Sequence, residues 1–397
     1  MIEPARPWAC LFVGILISAG CARATTPVLT ERVRIQNENH NAHSDLGARQ
    51  HTALDEDDGN IDLSKAPQPV PAGRQGRWLL FSNHNHSTYW DGKKPLTVMQ
   101  QEAYLQGLDA FALTDHNTMR GALSPEFQAP PGHLTMVKGM EWNAFRERGE
   151  EVVGHASLLG LRGNENITTG LSLDAMLREA TRRNATIVIN HPFTLNNVWK
   201  QSEPDARVHG IEVWNGWWAR VKPVINNDKA LAWWDKSLRA GRRLTALSGT
   251  DNHGQWYDDI SRNVNIVFAE TRDEAGILGG IRAGRVTITK SPTSGRIYLE
   301  ADANGDGQYE SMMGDTVPRG ANGVLNIRVH VLGGQGKKVV LYTAAGRWRI
   351  FDVTKDKQII SCAIPVRPRT DFVRAELRRF PRLNTSMTAI SNPIYIR

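Results

Sequence analysis

The sequence predicts an α/β chain, a parallel-stranded β/α barrel followed by a small, sandwich-like all-β domain. Three observations lead there. From Trp78 onward, short apolar β-type runs alternate with helical stretches of amphipathic spacing. Repeated β-then-α units imply a parallel sheet, and this many of them imply a closed or nearly closed barrel. From about Ser291 the pattern changes to alternating stretches such as Leu325-Asn326-Ile327-Arg328-Val329, separated by Gly-rich turns, which is the pattern of antiparallel strands. The length, 397 residues, also exceeds one ordinary compact unit, and 40% hydrophobic with 22% charged residues is the balance of a chain that can bury a full core. Global disorder, a collagen-like fibre and a multi-pass membrane protein are excluded. So is a disulfide-stapled scaffold, because there are three cysteines and two of them, Cys10 and Cys21, fall in the leader.

The N-terminal region reads as a leader over 1–21 and a tether over 22–76. Trp8 to Ala19 is one apolar run behind Arg6, shorter than the ~20 residues a membrane-spanning helix takes, and it fits a secretory signal core. Ser18-Ala19-Gly20-Cys21 resembles a bacterial lipobox, which implies a lipid on Cys21 and attachment to a membrane. Cleavage after Ala22-Arg23-Ala24, which fits the small-x-small rule, is the alternative. Both place the chain outside the cytoplasm, in the periplasm or cell envelope. Residues 22–76 lack apolar periodicity, carry the cluster Asp55-Glu56-Asp57-Asp58 and end in KAPQPVPAGRQG, a composition expected of a flexible tether.

The barrel is expected over 77–290. Its strands are read at Trp78–Phe81, Ala110–Leu113, Thr135–Val137, Ala156–Leu159, Thr186–Ile189, Ile211–Val213, Leu244–Leu247 and Val264–Phe268. Its helices are read at Leu96–Leu105, Leu173–Arg182, Asn227–Leu238 and Arg272–Ile281. The β-domain is expected over 291–397. From Ser291 onward sixteen Lys/Arg face nine Asp/Glu, which accounts for the whole net charge of +7. Such a surface attracts anionic lipid heads or an acidic substrate, and reads equally as a well-solvated β-rich face; no nucleic-acid-binding module accompanies it.

Histidines and acids gather where the strands end. His84, His86 and Asp91 follow the first strand, Asp115 and His116 the second, and Glu141 the third. His155 opens the fourth, His191 follows the fifth, and Asp251 and His253 follow the seventh. In a barrel these positions share one rim. Imidazole nitrogen and carboxylate oxygen are ligands for Zn, Mn or Fe, and an HxH pair on extended chain can face one ion. Any single histidine is more simply a hydrogen-bonded core residue. Six of the twelve histidines with three of these four carboxylates are not, because gathering that much charge is prohibitive without cations.

The order HNH, an acid, TDH, a lone Glu, GH, NHP and TDNH resembles the polymerase-and-histidinol-phosphatase (PHP) superfamily of metallohydrolases, over roughly Arg77 to Thr289. The resemblance implies a distorted (β/α)7 barrel holding two or three divalent ions (Zn, Mn or Fe). Carried over by position, one ion would lie among His84, His86, Glu141 and Asp251. A second would share Glu141 and add His155 and His191, and a third would use Asp91, His116 and His253. Asp115 would orient a ligand histidine, and Asn252 would donate hydrogen bonds to the substrate or transition state, as could Asn117 and Asn190. The EVWNG run at Glu212–Gly216, SPTSGR at Ser291–Arg296 and the SNPIYI ending resemble the CehA/McbA-type branch.

The resemblance implies a hydrolase that attacks its substrate with a cation-activated water. A phosphoesterase acting on a phosphodiester or phosphomonoester leads, with small-molecule or lipid esters as substrates. A carbamate or carboxylic aryl ester hydrolase is the alternative, and a non-catalytic, metal-containing envelope-binding lipoprotein is the other. Lys138 either complements an anionic substrate or points outward. Trp214, Trp217 and Trp218 either form an apolar wall for a leaving group or plug the rim against Trp233-Trp234. Asp302, Asn304 and Asp306 have the alternating oxygens of the first half of a calcium loop, with Met313 where an EF-hand needs glutamate and with Glu310 or Asp315 available to close a different site; a hairpin turn that binds nothing is the other reading.

Overall fold

The computed structural model describes residues 62–63, 66–143, 154–163, 167, 171–195, 198–199, 201–216, 226–255, 259–319, 323–367, 371–380 and 386–397. The expected leader with Cys21, and the tether up to residue 61, lie outside the described residues, as do Trp217 and Trp218. The described residues belong to one compact unit, Asp58–Arg397. Among them no helix is long and apolar enough to cross a membrane. The end of the expected tether is held to the body rather than free. The Trp78 indole donates to the Pro69 carbonyl at 2.7 Å, Arg74 pairs with Asp315, and Leu63 is buried in the core.

In chain order the first half runs β1 (Arg77–Ser82), α1 (Leu96–Leu105), β2 (Ala110–Leu113), β3 (Thr135–Asn143), β4 (His155–Leu159), α2 (Leu173–Arg182), β5 (Thr186–Asn190), β6 (Gly210–Asn215), α3 (Asn227–Arg239), β7 (Thr245–Gly249), β8 (Val264–Ala269), α4 (Glu274–Arg282) and β9 (Val286–Thr289). Helices α2, α3 and α4 start where a side chain can replace the missing backbone acceptor, whereas α1 follows Pro95 with no side-chain cap. Ser172 accepts from the Ala175 N–H, Asn226 from that of Lys229 and Asp273 from that of Gly276. Each helix buries one apolar stripe, Met176, Leu177 and Ala180 in α2 for example.

The ladder runs β9-β8-β1-β2-β3-β4-β5-β6-β7. It is not the purely parallel sheet expected. β1–β2–β3 and β5–β6–β7 pair in parallel, but β4 runs antiparallel between β3 and β5, and β8 antiparallel between β1 and β9. For β4 the reason is connection length. β3 continues through Gly139 to Asn143, well past the expected end at Val137, so β4 can pair straight back along it. Glu141 therefore lies inside β3 rather than after it.

The two ends of the ladder meet through side chains. The Asn265 amide of β8 accepts from the Ser248 N–H at 2.9 Å and donates to the Ser248 carbonyl at 3.0 Å. Asn392 does the same for Ala246 of β7, at 2.7 and 2.9 Å. Alternate strand residues Leu79, Phe81, Ala110, Ala112, Val137, Val188, Leu247 and Val267 form one apolar cluster, to which α4 adds Ile277, Leu278 and Ile281. Period-2 alternation thus fills the interior.

The second half contributes β10 (Arg296–Asp302), β11 (Ser311–Met312), β12 (Thr316–Val317), β13 (Val324–Leu332), β14 (Lys338–Thr343), β15 (Gly346–Asp352), β16 (Lys357–Pro365), β17 (Phe372–Arg379), β18 (Ser386–Ser391) and β19 (Ile394–Ile396). β11-β10-β13-β16 form a separate antiparallel sheet. The remaining strands extend the first sheet, because β18 pairs with β9. Arg374 of β17, 1% exposed, ties this half to α3: it forks onto Asp235 at 2.8 and 2.7 Å and reaches Glu376 at 2.6 Å.

Candidate metal centre

The site is built where β1, β2, β3, β5 and β7 arrive and where the antiparallel β4 departs, so residues scattered over the sequence share one rim. Glu141 lies at its middle, fully buried. Its Oε1 is 3.1 Å from His155 Nδ1 and 3.1 Å from His191 Nε2, and accepts from Asn190 Nδ2 at 2.8 Å. Its Oε2 lies 3.2 Å from His84 Nε2, 3.3 Å from His86 Nε2 and 3.1 Å from His116 Nδ1. Five imidazoles thus meet one carboxylate. Asp251 joins from β7, with Oδ1 3.3 Å from His84 Nε2 and 3.2 Å from His86 Nε2. On the more open side, Asp91 Oδ2 is 3.4 Å from His253 Nε2 and 3.9 Å from His116 Nε2, and its Oδ1 is 3.9 Å from His86 Nδ1.

Three groups of ligand atoms lie mutually within 4.8 Å: His84, His86, Glu141 and Asp251; His86, Asp91, His116 and His253; and His116, Glu141 and His155. These clusters can hold metal ions. The first has the four residues expected from sequence. The second adds His86 to the expected Asp91, His116 and His253. In the third, His116 stands where His191 was expected, although His191 still reaches Glu141.

The backbone is shaped to the site. His191 (φ 26°) and Asp251 (φ 53°) are in the left-handed region, where strain at non-glycine residues concentrates at functional positions. Gly92 lies so close under the His86 carbonyl that a Cβ there would stand 2.3 Å from its oxygen, which fixes the turn that presents Asp91.

The electrostatics and the unmet polar atoms test whether cations fit. Burial raises the cost of charging Glu141 and Asp251, but the surrounding imidazoles outweigh it and hold both carboxyls well below the usual range. Burial likewise opposes charge on His84 and His191, and the adjacent carboxylates outweigh it and raise both. His253 is raised to about 9 against its burial, by Asp91 and Asp251. His116 goes the other way, to about 4, chiefly through burial. Both ring nitrogens of His86, Nδ1 of His116 and Oε2 of Glu141 are buried without a hydrogen-bond partner. Buried polar atoms are rarely left so, and nitrogens crowding carboxylate oxygens without hydrogen-bond geometry are the donor set of borderline divalent ions. The residues fit the cations.

Other expected residues take different parts. Asp115 acts through the backbone turn rather than on a histidine ring: its oxygens accept from the Ser87 N–H at 2.6 Å and the Ser87 hydroxyl at 2.8 Å, pinning the turn after His86. Asn252 accepts from the Gly254 N–H at 2.7 Å, and its carbonyl accepts from the His86 N–H at 2.8 Å. Asn117 accepts from the Asn143 N–H at 3.2 Å. Asn190 holds Glu141. Lys138 lies over the Phe127 ring, and Trp214 is buried with its indole on the Gly216 carbonyl. The Asp302, Asp306 and Glu310 carboxylates cluster within 4.8 Å. They also accept local backbone N–H groups: Gly305 and Gly307 on Asp302, Gln308 on Asp306 and Ala303 on Glu310. Asn304 accepts from the Asp306 N–H, and Asp315 is taken by the Met312 N–H and by Arg74.

Sequence reasoning gave Glu212 no role. It is fully buried in β6, between His84 and His191. The available signal was an ionisable residue inside the apolar run GIEVWN.

No family model matches the chain. It is 35% identical over 75 residues to a 5'-3' exoribonuclease of Haemophilus influenzae, a stretch covering 19% of this chain and 27% of that one; the chain thus spans about a quarter of the length of the curated relative it matches. Among solved structures it is similar to a two-domain protein from Bacteroides vulgatus containing a predicted PHP-like metal-dependent phosphoesterase. That likeness has a TM-score of 0.44 and 16% identity, covering 86% of this chain and 100% of that one. It is also similar to an amidohydrolase from Chromobacterium violaceum with bound sulfate and no metal, with a TM-score of 0.34 and 15% identity, covering 45% of this chain and 89% of that one.

Proposed function

We propose that the chain is a metal-dependent hydrolase of the PHP type that acts on phosphate esters. The observation that carries this is the buried Glu141 carboxylate ringed by five imidazoles, with Asp251 and Asp91 completing the clusters. Bound there, divalent cations would make a water nucleophilic near neutral pH and offset charge on the phosphoryl oxygens. The chain's own residues supply the rest. Asn190 fixes the rotation of Glu141, and Asp115 fixes the turn carrying His86. Asp91, Asp251 and His253 have side chains 44, 31 and 27% exposed, whereas His84, His86 and Glu141 are fully buried. The substrate therefore enters on the Asp91–His253 side. Trp90, 55% exposed and next to Asp91, offers an apolar face there.

The local likeness to an exoribonuclease supports the phosphodiester side of this reading. The leader supports action outside the cytoplasm, with a lipid on Cys21. The test is metal analysis of the purified protein together with turnover of chromogenic phosphomonoesters, phosphodiesters and carboxylic esters after loading with Mn or Zn. Phosphoester turnover abolished in His84→Ala and Asp251→Ala is the expected result. Turnover of aryl carboxylic esters alone would move the activity to that class, and inactivity of the loaded protein on every ester would reject a hydrolase.

A further inference from the structure

We infer that Glu212 is the positioning residue that makes His84 a metal ligand through Nε2 and holds the left-handed backbone of His191. The inference rests on the metal reading above. Glu212 is fully buried on β6, and its two oxygens meet three nitrogens: His84 Nδ1 at 2.9 Å on Oε1, the His191 backbone N–H at 2.9 Å and Asn215 Nδ2 at 3.0 Å on Oε2. With Oε2 taken by two N–H donors, Oε1 is placed to accept from His84 Nδ1–H, which leaves the Nε2 lone pair for a cation. That Nε2 is the atom 3.2 Å from Glu141 and 3.3 Å from Asp251. With these three donors on its oxygens, Glu212 is placed to orient ligands rather than to bind metal itself. The same carboxylate secures His191, whose φ of 26° needs a partner to hold it. One acid on β6 thus sets ligands carried by β1 and β5.

A second feature shows how closely the chain accommodates this carboxylate. Gly249 of β7 lies against it, and a Cβ there would stand 1.9 Å from Glu212 Oε1 and 2.5 Å from its Cδ. Only glycine lets the carboxylate pass over that strand to reach His84.

Glu212→Gln tests the inference. Its amide has one oxygen and one N–H2 group to face three donors, so either His84 Nδ1 or the His191 N–H loses its acceptor. Zinc affinity of the whole chain, measured by competition with a chelator, should weaken roughly 10- to 100-fold. Gly249→Ala, which displaces the carboxylate without deleting it, should shift affinity in the same direction and decides the matter if the first variant does not fold. ¹⁵N spectra of zinc-loaded wild-type protein should show His84 protonated at Nδ1. Val213→Ala, in the fully buried neighbouring position of β6, should lower Tm and leave zinc affinity unchanged. Wild-type zinc affinity in Glu212→Gln or in Gly249→Ala, or a zinc loss in Val213→Ala proportional to its Tm loss, would overturn the positioning role while the metal reading stands. A wild-type chain that binds no divalent ion would reject both.

Discussion

Replacing Glu141 by glutamine keeps the side-chain shape and removes one charge at the point where five imidazoles meet. The outcome follows from which oxygen is which. Asn190 Nδ2, 2.8 Å from Oε1, can only donate, so the amide oxygen takes that end and the N–H2 group turns toward His84, His86 and His116, whose nitrogens lie 3.1–3.3 Å from Oε2. An N–H there meets lone pairs that a cation needs. At least one ion per chain should be lost. An ion present at 100 times its Kd stabilises the native state by about 2.7 kcal/mol. For a unit the size of Asp58–Arg397, each kcal/mol moves Tm by roughly 1.4 °C. Losing one ion should therefore lower Tm by about 4 °C. Calorimetry with parallel metal analysis, with and without chelator, reads both quantities. A variant that keeps the wild-type metal count and the wild-type drop in Tm on chelation would refute the bridging role of Glu141.

Three other perturbations follow from the same geometry. In chelator, His253 is raised to about 9; a raised folded-state value gives stability that is complete below ~6.5 and lost as pH climbs through about 9. The Tm of metal-free protein should thus fall over that interval while metal affinity rises as the proton leaves, and a Tm that climbs instead would contradict the ion pair with Asp91. Asp91→Asn should remove the most weakly held ion and leave the deeper ones, because Asp91 is half-exposed and 3.4–3.9 Å from its histidines; a metal titration that loses the tightest site first would refute this. Arg374→Met removes the buried cation shared by Glu376 and Asp235, which keep only Arg378 and Arg239 respectively, at a cost of at most about 3–5 kcal/mol, and should lower Tm by at most roughly 4–7 °C at unchanged metal affinity.

Much of this molecule can be read along the chain. Helices at Leu96–Leu105 and Leu173–Arg182 and the strand at Ala110–Leu113 have the bounds their apolar spacing indicates, because each buries one face against the same core. Ligand candidates were visible because histidine and acid were packed at the ends of apolar runs. Strand direction was not visible: side-chain alternation in β4 and β8 is the same whichever way a strand runs, and pairing across β3 and β1 decides it. Asp115 misled because it sits beside His116 in sequence, whereas its oxygens reach Ser87 in the preceding turn. Glu212 stayed hidden because a lone acid in an apolar strand has no spacing to betray its partners 21 and 128 positions away.

The amides of Asn265 and Asn392 make the wall of the site depend on chain that comes long after it. β7, which delivers Asp251 and His253, is fastened along one flank by ladder pairing with β6 and along the other by these two side chains. One of the two belongs to the turn between β18 and β19. A chain cut at residue 290 would keep every candidate ligand and still lose the Asn392 clasp and the β18 rail beside β9. The final hundred residues therefore act as a buttress for the rim that carries the candidate ligands.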